Sequence, residues 1–250
     1  MRRLARPLTL CYHAASATWP YRLSLPPTTI EAHVKLFRRR GFAPVRAHEI
    51  LRGRGRFFHV TFDDAFTSAG GAMAKLAARG VPSTVFVCTD LADRSGARLE
   101  VSELEEELRV RPDELATLSW SELAELSADG YVEIGSHTVT HAKLWQLADT
   151  ELDKELRESK ASIEDHTGRP CRFLAYPYGR ADGRVIRAAE RAGYEAAFLL
   201  LNGRWGERHA LPRIDLYPRD HGARLFLKTE PSISLPLAAI LRWKRRLARA

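Results

Sequence analysis

Residues 57–88 read FFHVTFDDAFTSAGGAMAKLAARGVPSTVFVC and contain one complete β-α-β unit. The run 57–62 is rich in aromatic and β-branched residues, which predicts a buried strand. The small-residue segment 69–79 predicts a helix that ends at Gly80, because glycine commonly terminates helices. A second apolar run, 83–88, predicts the next strand. Strands that alternate with helices in this way indicate parallel pairing and an α/β fold.

The same alternation extends in both directions from this unit. Further strands are predicted over 8–13, 42–45, 131–135, 171–177, 195–201 and 211–217, and further helices over 28–40, 99–109, 149–166 and 182–192. No Gly/Ser-rich linker separates these seven or eight units. The pattern therefore predicts a single barrel-like α/β domain over residues 1–230.

The composition is that of a globular protein. The chain has 250 residues, of which 45% are hydrophobic and 28% charged, and this excludes wholesale disorder. No stretch approaches the roughly 18 apolar residues that a membrane span needs. The formal net charge of +8 suits anionic partners such as phosphorylated glycans or acidic lipids. Nucleic acid is not expected, because basic residues are not interleaved with aromatic ones outside the C-terminal tail.

Residues 91–119 form an acidic insertion in this basic chain. The insertion holds eight acidic and four basic residues, a net charge of −4, so the rest of the chain carries +12. Two interpretations are open: a wall or lid over a substrate pocket, and a solvated excursion from the barrel.

The C-terminal tail, residues 231–250, combines apolar residues with five positive charges. This composition predicts a basic amphipathic segment that contacts an anionic membrane at its surface. The alternative is a helix that packs on the core and has a frayed basic end. Since the first residues lack a signal-peptide core, we expect a cytoplasmic protein, peripheral to the cytoplasmic membrane face where the tail binds.

Two adjacent carboxylates close the strand 57–62. Asp63 and Asp64 would repel each other, and ionising both is costly unless a cation is near. A metal ion changes this balance, because one carboxylate can bind the metal while the other serves as a base. The alternative is a pair of aspartates that caps the following helix.

Two histidines follow the strand 131–135 at a spacing of four residues. His137 and His141 would lie on one face of a helical turn, near enough to share an ion. With one aspartate they supply three protein ligands and leave a position for water, as in catalytic zinc sites. The alternative is a pair of surface histidines.

The strand 171–177 runs into the turn Pro177-Tyr178-Gly179. Such a turn exposes backbone N–H groups that can donate hydrogen bonds to a developing oxyanion. All three motifs lie at the carboxyl ends of predicted strands, the face on which α/β barrels build active sites. Their shared position favours an enzyme.

The motifs TFDD (61–64), HTVTH (137–141) and FLAYPYG (173–179), in this order, resemble those of the polysaccharide deacetylases of the NodB-homology type, carbohydrate esterase family 4. The resemblance covers roughly residues 8–217. It implies a single distorted (β/α)7-8 barrel. It also implies metal-dependent hydrolysis of the N-acetyl group of an amino sugar in a glycan or glycan precursor. The implied cofactor is one divalent metal ion, usually zinc.

Carried over by position, the resemblance implies roles for individual residues. Asp63 matches the catalytic base, and Tyr178 matches the residue whose backbone N–H holds the oxyanion. The implied metal ligands are Asp64, His137 and His141. The implied partner is an N-acetylated sugar, and the basic charge of the chain leads us to expect a phosphate- or lipid-linked one.

Two features depart from the family pattern. Tyr176 stands where many members have an arginine that orients the catalytic aspartate. Arg172 or Arg213 would replace that arginine, and we expect Arg213, because its strand end lies on the catalytic face. The late Leu-x-His motif that supplies the general acid is absent, and Asp63 could instead take and return the proton. The available substitutes are His13, His209 and His221.

Three more residues are candidates for substrate binding, and two further functions stay open. His13 ends the first strand, Pro177 lies in the turn, and Trp120 precedes a helix. His13 also suits a buried core histidine, and Trp120 also suits packing at the helix start. The other functions are a non-catalytic glycan- or lipid-binding protein on the same fold, and a metal amidohydrolase of a non-sugar amide.

Overall fold

The computed structural model describes residues 6–200 and 202–230. Its strands are β1 (Leu8–Tyr12), β2 (Ala43–Pro44), β3 (Phe57–Phe62), β4 (Ser83–Val87), β5 (Val132–Ser136), β6 (Phe173–Ala175), β7 (Ala196–Leu199), β8 (Leu211–Pro212) and β9 (Ile214–Asp215). Its α-helices are α1 (Pro27–Arg39), α2 (Ala47–Ile50), α3 (Thr67–Ala77), α4 (Thr89–Ala92), α5 (Glu105–Val110), α6 (Trp120–Ser127), α7 (Asp149–Thr167), α8 (Gly183–Arg191) and α9 (Gly222–Thr229).

The strands form a nearly closed barrel. Eight of them follow the order β8-β7-β6-β5-β4-β3-β1-β9, and β2 pairs with the start of β3. Every pairing is parallel, so the carboxyl ends of all strands lie at one end of the barrel. The predicted (β/α) barrel is confirmed, and its carboxyl end is the face expected to carry the site.

One segment closes the barrel, and here the structure corrects the predicted single strand 211–217. β8 pairs with β7, whereas β9 pairs with β1. Arg213 lies between them, and its N–H donates to the Leu199 carbonyl at 2.8 Å. A single segment therefore joins the two edges of the sheet. Because it changes partner at Arg213, it forms two short ladders instead of one long strand.

The core explains why the strand segments are almost continuously apolar. β1 and β4 are buried along their whole length, as expected for parallel strands covered on both faces. Gly135 shows how closely the barrel wall is packed. A Cβ at this position would lie 2.6 Å from the Phe86 ring and 3.0 Å from the Phe173 carbonyl oxygen, so only glycine fits.

The acidic insertion folds back on the barrel. The predicted helix 99–109 is shorter in the structure. A 3-10 turn over Ser102–Leu104 precedes α5, and no side chain of α5 is buried. Apolar residues of the insertion pack with Trp19 and Phe66 in a second hydrophobic cluster. The Trp19 indole N–H also donates to Glu107 at 2.6 Å. This packing argues against a purely solvated excursion.

No helix of the described ranges is both long and apolar enough to cross a membrane. The basic tail 231–250, with its predicted membrane contact, lies outside the described residues.

Candidate active site

Asp63 and Asp64 leave the carboxyl end of β3 through a tight backbone turn. The Asp63 N–H donates to the Tyr12 carbonyl at 2.9 Å, which continues the β1–β3 pairing. Asp64 and Ala65 then adopt left-handed backbone angles, with φ of 65° and 51°. Such angles are uncommon outside glycine, are less favourable for alanine than for aspartate, and often occur at functional sites. The helix-cap alternative is excluded, because α3 begins after Phe66 without a side-chain cap.

Arg213 holds Asp63 in a bidentate ion pair. Its Nη1 and Nη2 atoms donate to Oδ1 and Oδ2 of Asp63 at 2.5 and 2.7 Å. The side chains of the pair are 0% and 2% exposed, so each charge depends on the other. Burial by itself would raise the pKa of Asp63, but the charge and hydrogen bonds of Arg213, together with the charge of His137, hold that pKa well below its usual range. Asp63 is therefore ionised at neutral pH.

Arg172, the other arginine that could orient Asp63, lies at the opposite end of the barrel. It precedes β6 and lies near Glu133 in β5, where its charge lowers the pKa of that carboxyl against the larger effect of burial. Closure of the barrel brings Arg213 to Asp63, because the Arg213 backbone N–H bonds to β7 while its side chain reaches the Asp63 carboxylate.

Asp64, His137 and His141 converge at the carboxyl ends of β3 and β5. The Nε2 atoms of both histidines lie 3.4 Å from Asp64 Oδ1. His137 Nδ1 lies 2.7 Å from the Ala175 carbonyl. A carbonyl only accepts, so Nδ1 carries a proton, and Nε2 is the ring nitrogen that faces Asp64. Burial alone would lower the pKa of His137, but the neighbouring Asp63 and Asp64 carboxylates raise it, so a metal would bind Nε2 in place of a proton.

This arrangement fits a divalent cation. Asp64 Oδ1 is buried and has no hydrogen-bond partner among the described residues, although two imidazole nitrogens face it. Burial lowers the pKa of His141 to about 4, which keeps its ring in the neutral form that binds metals. Two imidazoles and one carboxylate are the donor set of catalytic zinc sites. The three residues therefore fit the metal that the sequence implied.

The histidine loop is not helical, which corrects the prediction of a helical turn over 137–141. Thr138 and His141 have left-handed φ angles of 71° and 60°. Glu155 of α7 fixes the loop by accepting hydrogen bonds from the N–H groups of Val139 and Thr140 at 2.9 and 3.1 Å. It also accepts one from the Thr140 hydroxyl at 2.6 Å. The two imidazoles are therefore brought together by left-handed turns that Glu155 stabilises, and not by the periodicity of a helix.

The turn after β6 lies beside this cluster. Tyr178 has a left-handed φ of 60°, and its ring centroid lies 4.7 Å from that of His141. The Tyr178 N–H has no hydrogen-bond partner among the described residues, since the turn is closed by the Gly179 N–H donating to the Tyr176 carbonyl. Gly179 is required here, because its φ is 61° and a Cβ would lie 2.3 Å from the Leu200 side chain. Pro177 is buried within the same turn.

His13 lies at the carboxyl end of β1 and belongs to the same region. Its ring, the Cys11 thiol and the Asp215 carboxylate bring their ligand atoms within 4.8 Å of one another. The Cys11 thiol in turn donates to Asp63 Oδ2 at 3.5 Å. His13 therefore lies close to Asp63.

The other candidate histidines lie elsewhere. The His209 ring bonds to the Tyr194 carbonyl at 2.8 Å, and Tyr194 precedes β7 at the amino end of the barrel. His221 is exposed and precedes α9.

Trp120 does not join the cluster. Its indole stacks on His166 at 4.3 Å and donates to Asp93 at 2.5 Å. It lines a groove of about 420 Å³ that contains none of the metal-binding side chains. Trp120 therefore packs at the start of α6 and lies outside the cluster.

Sequence reasoning missed residues that shape the site without resembling a motif. Glu155 lies in the middle of an ordinary amphipathic helix. Trp145 lies four residues after His141, and its ring contacts that of Tyr178 edge to face at 5.8 Å. Trp145 was detectable as an aromatic residue close to a metal ligand, whereas nothing in the sequence around Glu155 marks its role.

Comparison with known proteins places this geometry in context. The family model described as polysaccharide deacetylase matches residues 52–197. YxkH of Bacillus subtilis (strain 168), a protein named for that family, is 24% identical over 194 residues, or 74% of this chain. The chain spans 61% of the length of that relative.

Solved structures share the fold. The Streptococcus pyogenes deacetylase PplD in complex with acetate gives a TM-score of 0.74 at 20% identity, covering 92% of this chain and 100% of its own. IcaB from Ammonifex degensii gives 0.71 at 22% identity, covering 86% and 94%. The polysaccharide deacetylase BC0361 from Bacillus cereus gives 0.71 at 22% identity, covering 89% and 68%.

Proposed function

Because the chain belongs to the polysaccharide deacetylase family, we propose that it hydrolyses the N-acetyl group of an amino sugar in a glycan or glycan precursor. The observation that carries this proposal is the pairing of two carboxylates with different partners. Asp63 is ionised and held by Arg213, whereas Asp64 faces two imidazoles. One aspartate is thus prepared to act as a base, and its neighbour to bind a metal.

Asp64, His137 and His141 would hold the metal, and we propose zinc on the basis of the nitrogen and oxygen donors. When bound, the ion would supply Lewis-acid chemistry, by polarising the acetamide carbonyl and lowering the pKa of water.

Asp63 would take the proton of the attacking water. Both of its oxygens already accept a hydrogen bond from Arg213, but each carboxylate oxygen has a second lone pair. The bidentate pair also fixes the plane of the carboxylate, so the base keeps one orientation. Arg213 is thus a positioning residue that acts through Asp63.

The Tyr178 N–H would donate to the oxyanion as water adds to the carbonyl carbon. The support for this role is that, in the part of the chain that the structure describes, the Tyr178 N–H has no hydrogen-bond partner and lies in a rigid turn next to His141. A donor fixed before the reaction needs no reorganisation when the charge develops.

We propose His13 as the general acid that protonates the leaving amine. It lies close to Asp63 through Cys11, whereas His209 and His221 lie elsewhere. Asp215 lies within 4.8 Å of the His13 ring nitrogen and would orient the imidazole. This replaces the absent Leu-x-His motif with a residue from the first strand.

The test is acetate release from N-acetylated sugars that are free, phosphate-linked or lipid-linked, together with formamides and cyclic imides. Zinc-loaded protein and its Asp63→Asn variant are compared. The proposal is supported if the wild-type protein releases acetate from sugars and the Asp63→Asn variant does not. Hydrolysis of only the non-sugar amides would favour the amidohydrolase alternative, and metal binding without any hydrolysis would favour the binding protein. The phosphate or lipid linkage, the membrane contact and the cytoplasmic location stay proposals.

A further inference from the structure

An aromatic rim extends from the metal-binding cluster. The Tyr178 ring packs on His141 at 4.7 Å and meets the Trp145 ring edge to face at 5.8 Å. Trp145 is half-buried in the 3-10 turn Leu144–Gln146, just after the histidine loop. A substrate bound at the metal ligands would therefore continue over Tyr178 towards Trp145.

Two cations lie on this rim, and they differ in their partners. Lys143 Nζ lies 5.2 Å from the Tyr178 ring centroid, but it is also 2.8 Å from Glu103 of the acidic insertion. Arg180 Cζ lies 4.6 Å from the Trp145 ring centroid. Within the described ranges, no carboxylate lies within salt-bridge distance of Arg180. The Lys143 charge is thus compensated, whereas the Arg180 charge is not.

The backbone fixes where this free charge lies. Arg180 follows directly after the Tyr178-Gly179 turn, and its N–H bonds to the Pro177 carbonyl at 3.4 Å. Its exposed guanidinium lies over the indole, and this contact restricts the side chain without using its N–H donors. A guanidinium held in this way is suited to carboxylate or phosphate, to which it can donate two parallel hydrogen bonds.

We propose that Arg180, supported by Trp145, binds an anionic group on the glycan next to the sugar that is deacetylated. The natural substrate is then an acidic glycan that carries carboxylate or phosphate groups. This inference rests on the proposed deacetylase function and adds a substrate class to it.

The test compares substrates that differ in charge. The neutral substrate is an oligomer of N-acetylglucosamine. The carboxylate substrate is an oligosaccharide that alternates N-acetylglucosamine with glucuronate, and the phosphate substrate is N-acetylglucosamine 1-phosphate. We expect Arg180→Gln to lower kcat/KM for an anionic substrate by about tenfold, mainly through KM, and to leave the neutral oligomer unchanged. The anionic substrate whose kcat/KM falls in Arg180→Gln identifies the group, carboxylate or phosphate, that Arg180 binds. Arg187→Gln, an exposed arginine of α8, removes the same charge as a control.

Two results would overturn the inference. One is an equal loss of kcat/KM on neutral and anionic substrates when Arg180 is replaced, and the other is an equal loss in Arg187→Gln. In both cases acetate release itself would still support the deacetylase function. If no substrate releases acetate, calorimetry with the alternating oligosaccharide and with N-acetylglucosamine 1-phosphate on Asp63→Asn protein decides separately. Weaker binding in the Arg180→Gln background supports the anion site, and unchanged binding rejects it.

Discussion

The Arg213 guanidinium and the Asp63 carboxylate meet edge to edge, in two parallel hydrogen bonds of 2.5 and 2.7 Å, although 150 residues separate them in the chain. The pair joins the closing segment of the barrel to the end of β3. It therefore links the integrity of the fold to the orientation of the proposed base.

Asp63→Asn should lower kcat for acetate release by about 10²–10⁴-fold, because the amide cannot accept the proton of the attacking water. Zinc content should stay near that of the wild type, since Asp64, His137 and His141 are intact. The matched variant Asp64→Asn should instead lose zinc. Metal analysis after gel filtration and an acetate assay measure both effects. Full turnover by a zinc-loaded Asp63→Asn protein would remove Asp63 as the base.

Arg213→Gln should destabilise the protein by about 3–5 kcal/mol, because it leaves a buried carboxylate without its counter-charge. Asp63→Asn should also destabilise, since it leaves Arg213 buried and unpaired. The double variant should then lose much less than the two single losses together. Urea unfolding of the four proteins measures this coupling. Additive losses would show that the pair is not coupled in solution.

His13→Gln should lower kcat for an acetamide by about 10²-fold, because a leaving amine needs a proton. The same variant should keep most of its activity on an aryl acetate ester, whose phenolate leaves without protonation. The ratio of the two activities is the readout, since a general loss of structure would lower both alike. Equal losses on amide and ester would assign His13 a structural role.

Glu155→Gln should weaken zinc binding by about 10–100-fold, although Glu155 does not belong to the ligand set. Its carboxylate accepts three hydrogen bonds from Val139 and Thr140, which hold the histidine loop in its left-handed turns. Glu158→Gln on the exposed side of α7 removes the same charge and serves as the control. Zinc titration against a competing chelator measures the affinity. Matching affinities in the two variants would show that the loop holds its shape without Glu155.

Glu133→Gln should stabilise the protein above about pH 7. Burial raises the pKa of Glu133 to about 7, against the opposing charges of Arg172 and Arg46. The folded protein therefore keeps a proton that the unfolded chain releases, and stability falls as the pH rises from the ordinary carboxyl pKa to about 7. Glutamine removes this loss, a gain of about 1–3 kcal/mol at pH 8 and little at pH 4. Unfolding curves at both pH values check the difference.

Local patterns in the sequence determined the secondary structure and the residue types of the site. Apolar runs and helix-period segments predicted the β-α alternation, and the parallel barrel follows from it. The carboxylate pair and the two histidines were visible because each follows a strand directly. Parallel pairing places all such strand ends on one face, so the convergence of these side chains follows from the order of the elements along the chain.

Tertiary structure decided what depends on partners far apart in the chain. Arg213 rather than Arg172 reaches Asp63, because the last strand segment changes from β7 to β1 at that residue. The histidines converge through left-handed turns fixed by Glu155, which no periodicity describes. The turn after β6 places the Arg180 guanidinium over the Trp145 ring, which follows β5 in the chain. A sequence specifies local backbone preferences, whereas these contacts exist only once barrel closure brings distant segments within hydrogen-bond distance.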